Sequence, residues 1–313
     1  MKAKPDKEVI TMARPGLSRG QWLTLLIPYF WLLLFFLAPF AIVMKISLSQ
    51  SALSQPPYTP VFDLSRGISD LIEKAKLFSL DSYRDLFEDS LYIESYLSSV
   101  RLAFIATLLT LAVAYPLAYA MARAPTRIRP MLVMIAIAPF WTSFLIRVYA
   151  WIMILNDKGL LNRALMALGI IREPLAIFAT DKAVLIGIVY SYLPFMILPL
   201  FNAIDKQDVS LIEAAADLGA RPAQAFWRIT FPLSLPGILA GSLLVFIPAI
   251  GEFVIPDLLG GDNTLMIGRT MWDEFFENRD WPTASAAAIV LLALLLVPLA
   301  LYERAQISTA ETS

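Results

Sequence analysis

The sequence predicts an all-α integral membrane protein with six transmembrane helices. Hydrophobic residues make up 58% of the 313 residues and charged residues only 16%, whereas a soluble domain carries about 25% charged residues. A membrane-spanning helix needs roughly 20 apolar residues, and several stretches of the chain approach or exceed that length with at most one charge. The predicted spans are residues 22–46, 100–122, 130–154, 183–204, 229–250 and 281–302.

One transmembrane domain, residues 21–302, contains all the predicted spans. Residues 1–20 and 303–313 are predicted to be cytoplasmic tails. The first span is longer than the apolar part of a signal peptide and no small-residue cleavage site follows it, so we expect it to be retained. The longest predicted outer loop is 47–97, and the longest cytoplasmic loop is 205–228.

Basic residues near the first two spans predict the orientation of the chain. The turn that follows the second span, residues 123–129, contains three arginines and no acidic residue. Five more basic residues precede the first span: Lys2, Lys4, Lys7, Arg14 and Arg19. By the positive-inside rule, both observations place the N-terminus in the cytoplasm. Most acidic residues then fall outside, which predicts either an entrance that attracts cations or simply solvated acidic loops.

The loops and the proline content predict further local structure. Residues 55–60 read as a proline-rich turn, and apolar residues recur at helical spacing over 80–96 and 160–171. Residues 252–280 read as a polar re-entry region. Prolines within the spans kink helices, which is tolerated only where neighbouring groups satisfy the exposed backbone.

The composition excludes several classes of chemistry. The chain has no cysteine and no histidine, so disulfides, thiolate chemistry, common zinc sites and histidine-based triads are excluded. It also lacks the Gly-x-x-x-x-Gly-Lys loop that binds nucleotide phosphates. A membrane enzyme would need clustered carboxylates or histidines at one membrane face, so nothing here favours an enzyme. No internal repeat supports a single-chain carrier with duplicated halves.

One cytoplasmic segment carries a specific pattern. A short helix over residues 211–218 is followed by Gly219, which supplies the left-handed or unconstrained backbone needed to end it. Pro222 then begins a second helix in its first turn. The predicted helix–turn–helix exposes small alanine side chains between charged residues, so another surface can approach it closely. An ordinary alanine-rich linker would have the same composition.

The order Glu-Ala-Ala, three residues, then Gly in this segment resembles the "EAA loop" of ATP-binding cassette (ABC) importer permeases. The resemblance implies a type I, MetI-like permease fold and a coupling helix that docks into a separate ATPase, expected to be a homodimer. That ATPase would bind ATP and Mg²⁺, and this chain no cofactor. The implied coupling residues are Glu213, Ala214, Ala215, Asp217, Gly219, Ala220 and Arg221.

Other stretches resemble the putrescine and spermidine branch of these permeases: Tyr83–Phe87, Pro139–Trp151, Gly251–Gly261 and Asn278–Pro282. The resemblance implies a bacterial inner-membrane subunit that moves a polyamine, putrescine or spermidine, with putrescine favoured. It further implies two protein partners, a second, related permease and an extracytoplasmic polyamine-binding protein. The chain is also expected to contact membrane lipid and not to bind nucleic acid. Another small solute of the same importer class, or a stand-alone cation channel or carrier, are the alternatives.

The candidate substrate path combines carboxylates and aromatic rings. Glu252 and Asp257 lie at the outer end of the fifth span, where they either bind an ammonium group at the outer mouth or are ordinary interfacial acids. Aromatic faces attract cations, although rings at this depth also form the belt at the lipid headgroups. Arg147 does not suit a cation path and is expected to snorkel or to pair with an outer acid. The candidate aromatic residues are Trp141, Tyr149, Trp151, Tyr190 and Tyr192.

Overall fold

The computed structural model describes residues 19–62, 72–74 and 76–311, and the side chains of residues 24–62, 72–74 and 76–300. Most of the predicted N-terminal tail, the last two residues of the C-terminal tail and part of the outer loop 47–97 lie outside the described residues. The chain divides into two units, residues 1–45 and residues 46–313, which are described separately.

The first unit contributes a helix that matches the first predicted span in length. It consists of α1 (Arg19–Leu32), a π-helical turn (Leu33–Leu37) and α2 (Ala38–Ser47), which continues two residues into the second unit. The segment Thr24–Ser47 is long and apolar enough to cross a membrane.

Where the structure describes it, the second unit contains helices and one small sheet. Its strands are β1 (Gln50–Ser51) and β2 (Tyr58–Thr59). Its helices are, in chain order, α3 (Asp81–Glu88), α4 (Ser90–Arg123), α5 (Arg129–Ile137), α6 (Phe144–Leu155), α7 (Leu160–Ala167), α8 (Asp181–Asp205), α9 (Ser210–Asp217), α10 (Pro222–Ala225), α11 (Phe231–Ile250), α12 (Val254–Leu259), α13 (Ile267–Phe276) and α14 (Trp281–Glu311). A π-helical turn, Phe226–Thr230, joins α10 to α11.

The core of this unit is formed where α4, α8 and α11 pack along their lengths, because small residues let the helices approach closely. A Cβ added to Gly241 of α11 would lie 2.7 Å from the sulfur of Met196 in α8, and one added to Gly237 would lie 2.6 Å from the Cβ of Ala203. On α4, Ala106 and Ala114 are fully buried. The three apolar helices therefore form a tightly packed bundle.

The third predicted span, residues 130–154, is not one straight helix. Helical structure over Arg129–Trp141 and again over Phe144–Ala167 meets at an angle of 86°. Pro139 lies in the 3₁₀ turn before the break, and Thr142 is extended, so the helical ladder cannot continue. By length and composition the described residues provide five membrane-crossing helices, or six if this bent pair counts as one span.

The loop 47–97, which is predicted to lie outside, contains more structure than its sequence predicts. The proline-rich stretch 55–60 contains β2 and part of the turn that joins it to β1. The two strands are antiparallel, and Gln50 pairs with Thr59 and Ser51 with Tyr58. The helical spacing over 80–96 corresponds to α3 and to the start of α4, which begins ten residues before the predicted second span.

The predicted re-entry region 252–280 contains the short helices α12 and α13, and hydrogen bonds attach α13 and the loop before it to α4 and α8. The backbone N–H of Ile267 donates to the hydroxyl of Ser99 in α4 (2.8 Å). The hydroxyl of Thr264 donates to the carboxylate of Asp181, at the start of α8 (2.9 Å). At the opposite ends of α4 and α8, Arg129 pairs with Asp205 at 2.5 Å, which ties the turn after α4 to the start of the 205–228 loop.

Candidate functional site

The helical path breaks immediately after α11, and an acidic residue lies at the break. α11 ends at Ile250 and α12 begins at Val254. One carboxylate oxygen of Glu252 accepts hydrogen bonds from the backbone N–H groups of Val254 (3.1 Å) and Ile255 (3.4 Å). Glu252 thereby satisfies amides that have no partner within the first turn of a helix.

The second carboxylate oxygen of Glu252 accepts a hydrogen bond from the hydroxyl of Tyr192, in α8. Tyr192 lies eleven residues after Asp181 in a helix of 25 residues, which is about 16 Å from that end at 1.5 Å per residue. The pair is therefore level with the middle of α8, deeper than the outer mouth expected from the sequence. Sequence analysis selected both residues but did not indicate that they touch.

The Glu252 carboxylate is buried without a basic partner. The residue is 8% exposed, and among the described side chains no lysine or arginine nitrogen lies within 4.0 Å of it. Hydrogen bonds to its oxygens offset part of the cost of burying a charge. A cation that reached this carboxylate would meet a group that no described lysine or arginine neutralises.

A cavity of about 600 Å³ lies beside this pair, among α8, α11 and α14. Tyr192 is the residue that joins the two features, since its ring lines the cavity and its hydroxyl bonds Glu252. Apart from that hydroxyl the wall is apolar, and it is formed by Phe195, Ala240, Leu243, Leu244, Ile247, Pro248 and Leu299.

Asp257 is in a different environment from Glu252. It lies in α12 with half of its side chain exposed (51%), and its carboxylate is 3.5 Å from the guanidinium of Arg269 in α13. Arg269 also donates to the backbone oxygen of Gly261 (3.3 Å). The two acids that the sequence grouped together are thus one buried carboxylate and one exposed, ion-paired carboxylate.

The predicted aromatic residues do not form one lining. Trp151 and Tyr190 are in edge-to-face contact, with ring centroids 5.4 Å apart. Trp141 and Tyr149 are exposed, at 78% and 54%, and neither is near the Tyr192–Glu252 pair in any described contact. Only Tyr192 among these aromatic residues touches a candidate carboxylate among the described side chains.

Acidic residues, together with Arg269, also line a smaller cleft of about 310 Å³. Glu274 is held there by hydrogen bonds from Tyr92 (2.9 Å) and Asn278 (3.0 Å). Burial raises the pKa of the neighbouring Asp273, and the negative charge of Glu277 raises it further. The orientation predicted from the sequence would place this cleft on the outer face.

The predicted cytoplasmic helix–turn–helix is present. α9 ends at a glycine cap: Gly219 has a φ of +79°, and the N–H groups of Gly219 and Ala220 donate to the carbonyls of Ala216 and Ala215 (both 2.9 Å). Pro222 is the first residue of α10. The predicted coupling residues lie together on this segment, with Glu213, Ala214, Asp217, Gly219 and Arg221 exposed and Ala215 and Ala220 half-buried.

Two further bonds stabilise this segment. The Asp208 carboxylate accepts from the backbone N–H of Ser210 (2.9 Å) at the start of α9. That bond, together with one from the Ser210 side chain, lowers the pKa of Asp208. The side chain of Gln207 donates to the backbone oxygen of Thr230 (3.0 Å), so the two ends of the loop are joined at its base.

Comparison with known proteins identifies the family. Residues 16–305 match the family model described as "Binding-protein-dependent transport system inner membrane component". The chain belongs to this family. It is therefore a multi-pass inner-membrane permease, the non-enzymatic membrane component of an ABC importer.

Several relatives of the permease are close in sequence. It is 47% identical over 229 residues to the spermidine/putrescine transport system permease protein PotB of Salmonella typhimurium, covering 73% of this chain and 79% of the relative. It is 40% identical over 288 residues to PotB of Haemophilus influenzae, covering 92% and 94%. A more distant relative is the molybdenum transport system permease protein ModB of Mycobacterium bovis, at 32% identity over 66% of this chain and 75% of the relative.

Solved structures show the fold of the permease. A chain of a bacterial alginate ABC transporter in complex with a periplasmic protein aligns with a TM-score of 0.66 at 17% identity, covering 90% of this chain and 91% of that one. The MetNI methionine ABC transporter aligns with a TM-score of 0.52 at 15% identity, covering 68% and 94%. These similarities confirm the MetI-like permease fold.

The surroundings of Arg147 in the permease differ from those expected from the sequence, where it is predicted to snorkel or to pair with an outer acid. Arg147 does not extend to the surface, since it is 9% exposed, and it pairs with no acid among the described residues. Its guanidinium carbon lies 5.1 Å and 5.7 Å from the ring centroids of Phe140 and Phe144. Its Nε has no hydrogen-bond partner among the described residues. Cation–π contacts offset part of the free-energy cost of burying this charge. The positions of the two rings cannot be predicted from the spacing of residues in the sequence, because the span is bent.

Proposed function

We propose that this permease moves a polyamine across the inner membrane by alternating access, as one subunit of an ATP-driven importer. The observation that carries the proposal is the Tyr192–Glu252 pair beside an apolar cavity. The 47% identity to a spermidine/putrescine permease supports the same substrate class.

The chemistry of the cavity fits a linear polyamine, which has ammonium groups separated by methylene chains. The apolar wall, including Phe195 and Leu244, suits the methylene chain. The buried Glu252 carboxylate, which has no basic partner among the side chains that the structure describes, suits an ammonium group. The ring of Tyr192 adds a face over which a cation gains about 0.5–2 kcal/mol, depending on desolvation.

The remaining predicted path residues are proposed to guide the substrate toward the cavity. They are not proposed to bind it beside Glu252. We place the exposed Asp257 at the outer approach, where it attracts cations without burying them. Trp141, Tyr149, Trp151 and Tyr190 are proposed to line the route around the cavity, the last two as a contacting pair.

Coupling to ATP hydrolysis is assigned to the segment around Gly219. It is exposed, it ends in a fixed glycine cap, and it presents Glu213 and Arg221 beside small side chains. A homodimeric ATPase, which binds ATP and Mg²⁺, would dock there from the cytoplasm, on the same side as the N-terminus. The remaining proposed partners are a second, related permease and an extracytoplasmic polyamine-binding protein.

Reconstitution of the importer in proteoliposomes tests the proposal. Uptake of labelled putrescine and of spermidine should require ATP, and Glu252→Gln should reduce it. Putrescine is the expected preferred substrate. The second candidate is another small solute of the same importer class, favoured by the similarity to a molybdenum permease. ATP-dependent uptake of molybdate without polyamine uptake would replace the proposal by that candidate.

A further inference from the structure

The two-stranded sheet of the outer loop, residues 50–59 and here called the outer hairpin, has a fixed shape. Besides the β1–β2 pairing, the N–H of Ala52 donates to the carbonyl of Pro57 (3.2 Å) and that of Ser54 to the carbonyl of Ala52 (2.9 Å). The Ser54 hydroxyl donates to the carbonyl of Pro56 (2.7 Å). The tip is therefore held by its own backbone bonds.

The outer hairpin is also fastened to the start of α14. The hydroxyl of Ser51 donates to the carboxylate of Asp280 (2.9 Å). The ring of Tyr58 lies 6.1 Å from that of Trp281, which in turn stacks on Phe275 at 4.8 Å. Polar and aromatic contacts together give the hairpin a defined position on the second unit.

At the tip of this hairpin Leu53 is completely exposed, with a relative accessibility of 111%. A single exposed leucine is common on protein surfaces and does not by itself indicate a site. Here, however, the leucine lies on a loop that is fixed in place, so its exposure is not the result of a loose chain. A pre-ordered apolar side chain loses little conformational freedom on binding.

A groove of about 560 Å³ lies between the hairpin tip and the residues just before α14. One wall is formed by residues 51–55 and Pro57, and the other by Asn278 and Arg279. Arg279 is exposed and has a φ of 57°, a conformation that costs energy for a long side chain and that tertiary contacts must maintain. The groove thus combines an exposed apolar side chain, a guanidinium group and polar residues along its walls.

The groove faces away from the coupling segment. The outer hairpin adjoins the start of α14. α13 is bonded to the first part of α4, and Thr264, just before α13, donates to Asp181 at the start of α8. The coupling segment follows the opposite end of α8, at Asp205. A partner in this groove therefore approaches from the side opposite to the ATPase.

We propose that the outer hairpin and Arg279 are a docking surface for the extracytoplasmic binding protein of this importer. This rests on the proposed function and names the surface that receives one of its partners. The family is defined by dependence on a binding protein, and only the outer face is open to it. Leu53 enters an apolar depression of that protein, and Arg279 meets a carboxylate, which a protein that captures cations carries at its mouth.

Site-specific protection tests the contact directly, because the chain contains no cysteine. Leu53→Cys and the control Leu168→Cys, another exposed leucine of an outer loop, are each labelled with an impermeant maleimide in the assembled complex. Saturating purified binding protein should slow labelling at position 53 at least about tenfold and leave position 168 unchanged. Equal labelling rates at position 53 with and without binding protein overturn the proposal.

Binding strength provides the second test. Leu53→Asp and Arg279→Asn should each raise the binding-protein concentration that half-stimulates ATP hydrolysis by about tenfold or more, as expected for a central contact. Asparagine tolerates a positive φ, so Arg279→Asn removes the charge without adding strain. Leu168→Asp should leave that concentration unchanged, and the maximal rate should be preserved in all three variants.

The two proposals fail differently. A wild-type complex that does not respond to any binding protein and takes up no polyamine contradicts the proposed function. A wild-type complex that transports normally, together with a Leu53→Asp complex that binds its binding protein as tightly as wild type, contradicts only the docking surface.

Discussion

Tyr192 and Glu252, which are 60 residues apart in the chain, are joined by a hydrogen bond from the tyrosine hydroxyl to the carboxylate. The bond links the middle of α8 to the break between α11 and α12, and the same carboxylate holds the first amides of α12. A cation that competes for this carboxylate would therefore act on three helices at once. This arrangement connects a substrate contact to the geometry of the bundle.

Tyr192→Phe should reduce polyamine uptake while leaving the protein inserted. The substitution removes the hydroxyl donor and leaves a buried carboxylate oxygen without a partner, which costs about 1–3 kcal/mol. Tyr190→Phe is the matched control, since Tyr190 contacts Trp151 through its ring and makes no described hydroxyl bond. Concentration-dependent uptake in proteoliposomes is the measurement.

The same pair allows a double-mutant cycle. If Tyr192 acts through Glu252, then Tyr192→Phe should have a much smaller effect in a Glu252→Gln background than in wild type. Additive effects on uptake would mean that the tyrosine contributes through the cavity wall alone.

Gly219→Pro should abolish uptake and leave the protein in the membrane. Proline fixes φ near −65° and has no N–H, whereas Gly219 has a φ of +79° and donates to Ala216. Gly169, with a φ of +71°, ends α7 in the same way in a loop that is predicted to lie outside, so Gly169→Pro applies an equal distortion away from the coupling segment.

The expected contrast is that Gly169→Pro retains substrate-stimulated ATP hydrolysis and Gly219→Pro loses it. Glu213→Lys, which reverses a charge on the exposed face of α9, should resemble Gly219→Pro. Stimulated hydrolysis that persists at wild-type rate in both variants would remove the coupling role from this segment.

The Asp208 carboxylate should stabilise α9 at neutral pH and lose that effect only in acid. Hydrogen bonds from Ser210 lower its folded-state pKa, so the contribution is present above the unfolded value, about 3.9, and is lost as pH falls through the folded value. Backbone hydrogen exchange over residues 210–217 should be faster in Asp208→Ala than in wild type at pH 7. An unchanged exchange rate in that variant would show that the bond between Asp208 and Ser210 does not stabilise the helix.

The sequence was sufficient where a local pattern determines the structure. Long uncharged stretches located α4, α8, α11 and α14, because burial in a membrane depends on continuous apolar length. Gly219 followed by Pro222 predicted the cap of α9 and the start of α10, since few residues other than glycine adopt a positive φ without strain.

The features that the sequence did not predict depend on contacts between distant segments. Spacing placed Glu252 at the outer end of a span, but the break after Ile250 directs it toward the middle of α8. Likewise, the 86° bend at Thr142 brings Phe140 beneath Arg147. An uninterrupted apolar stretch contains no signal for either bend, because both result from how neighbouring helices pack.

Labelling of single cysteines should establish the orientation of the chain. In the cysteine-free background, Ser65→Cys should react with an impermeant thiol reagent in sealed, right-side-out cells, because loop 47–97 is predicted to face outward. Ser18→Cys and Gln224→Cys should react only after permeabilisation, since both are predicted to be cytoplasmic. Labelling of Gln224→Cys in intact cells would contradict the predicted number of spans.

Glu252→Gln and Asp257→Asn should separate the deep carboxylate from the exposed one. Each substitution keeps the shape of the side chain and removes its charge. Glu252 is 8% exposed and has no basic partner among the described residues, so loss of its charge removes a desolvated interaction with an ammonium group, commonly worth 2 kcal/mol or more. Uptake at low polyamine concentration should therefore fall by at least about tenfold.

Asp257 is half exposed and 3.5 Å from Arg269, so its charge is screened by water and by a fixed cation, and such exposed pairs contribute about 0–1 kcal/mol. Asp257→Asn should lower uptake by no more than about fivefold, and the effect should diminish as salt is raised. The affinity of the separate binding protein for polyamine should be unchanged in both cases. Wild-type uptake by Glu252→Gln would mean that its carboxylate only holds α12 and Tyr192 in place, and that the cation crosses the membrane along another part of the permease.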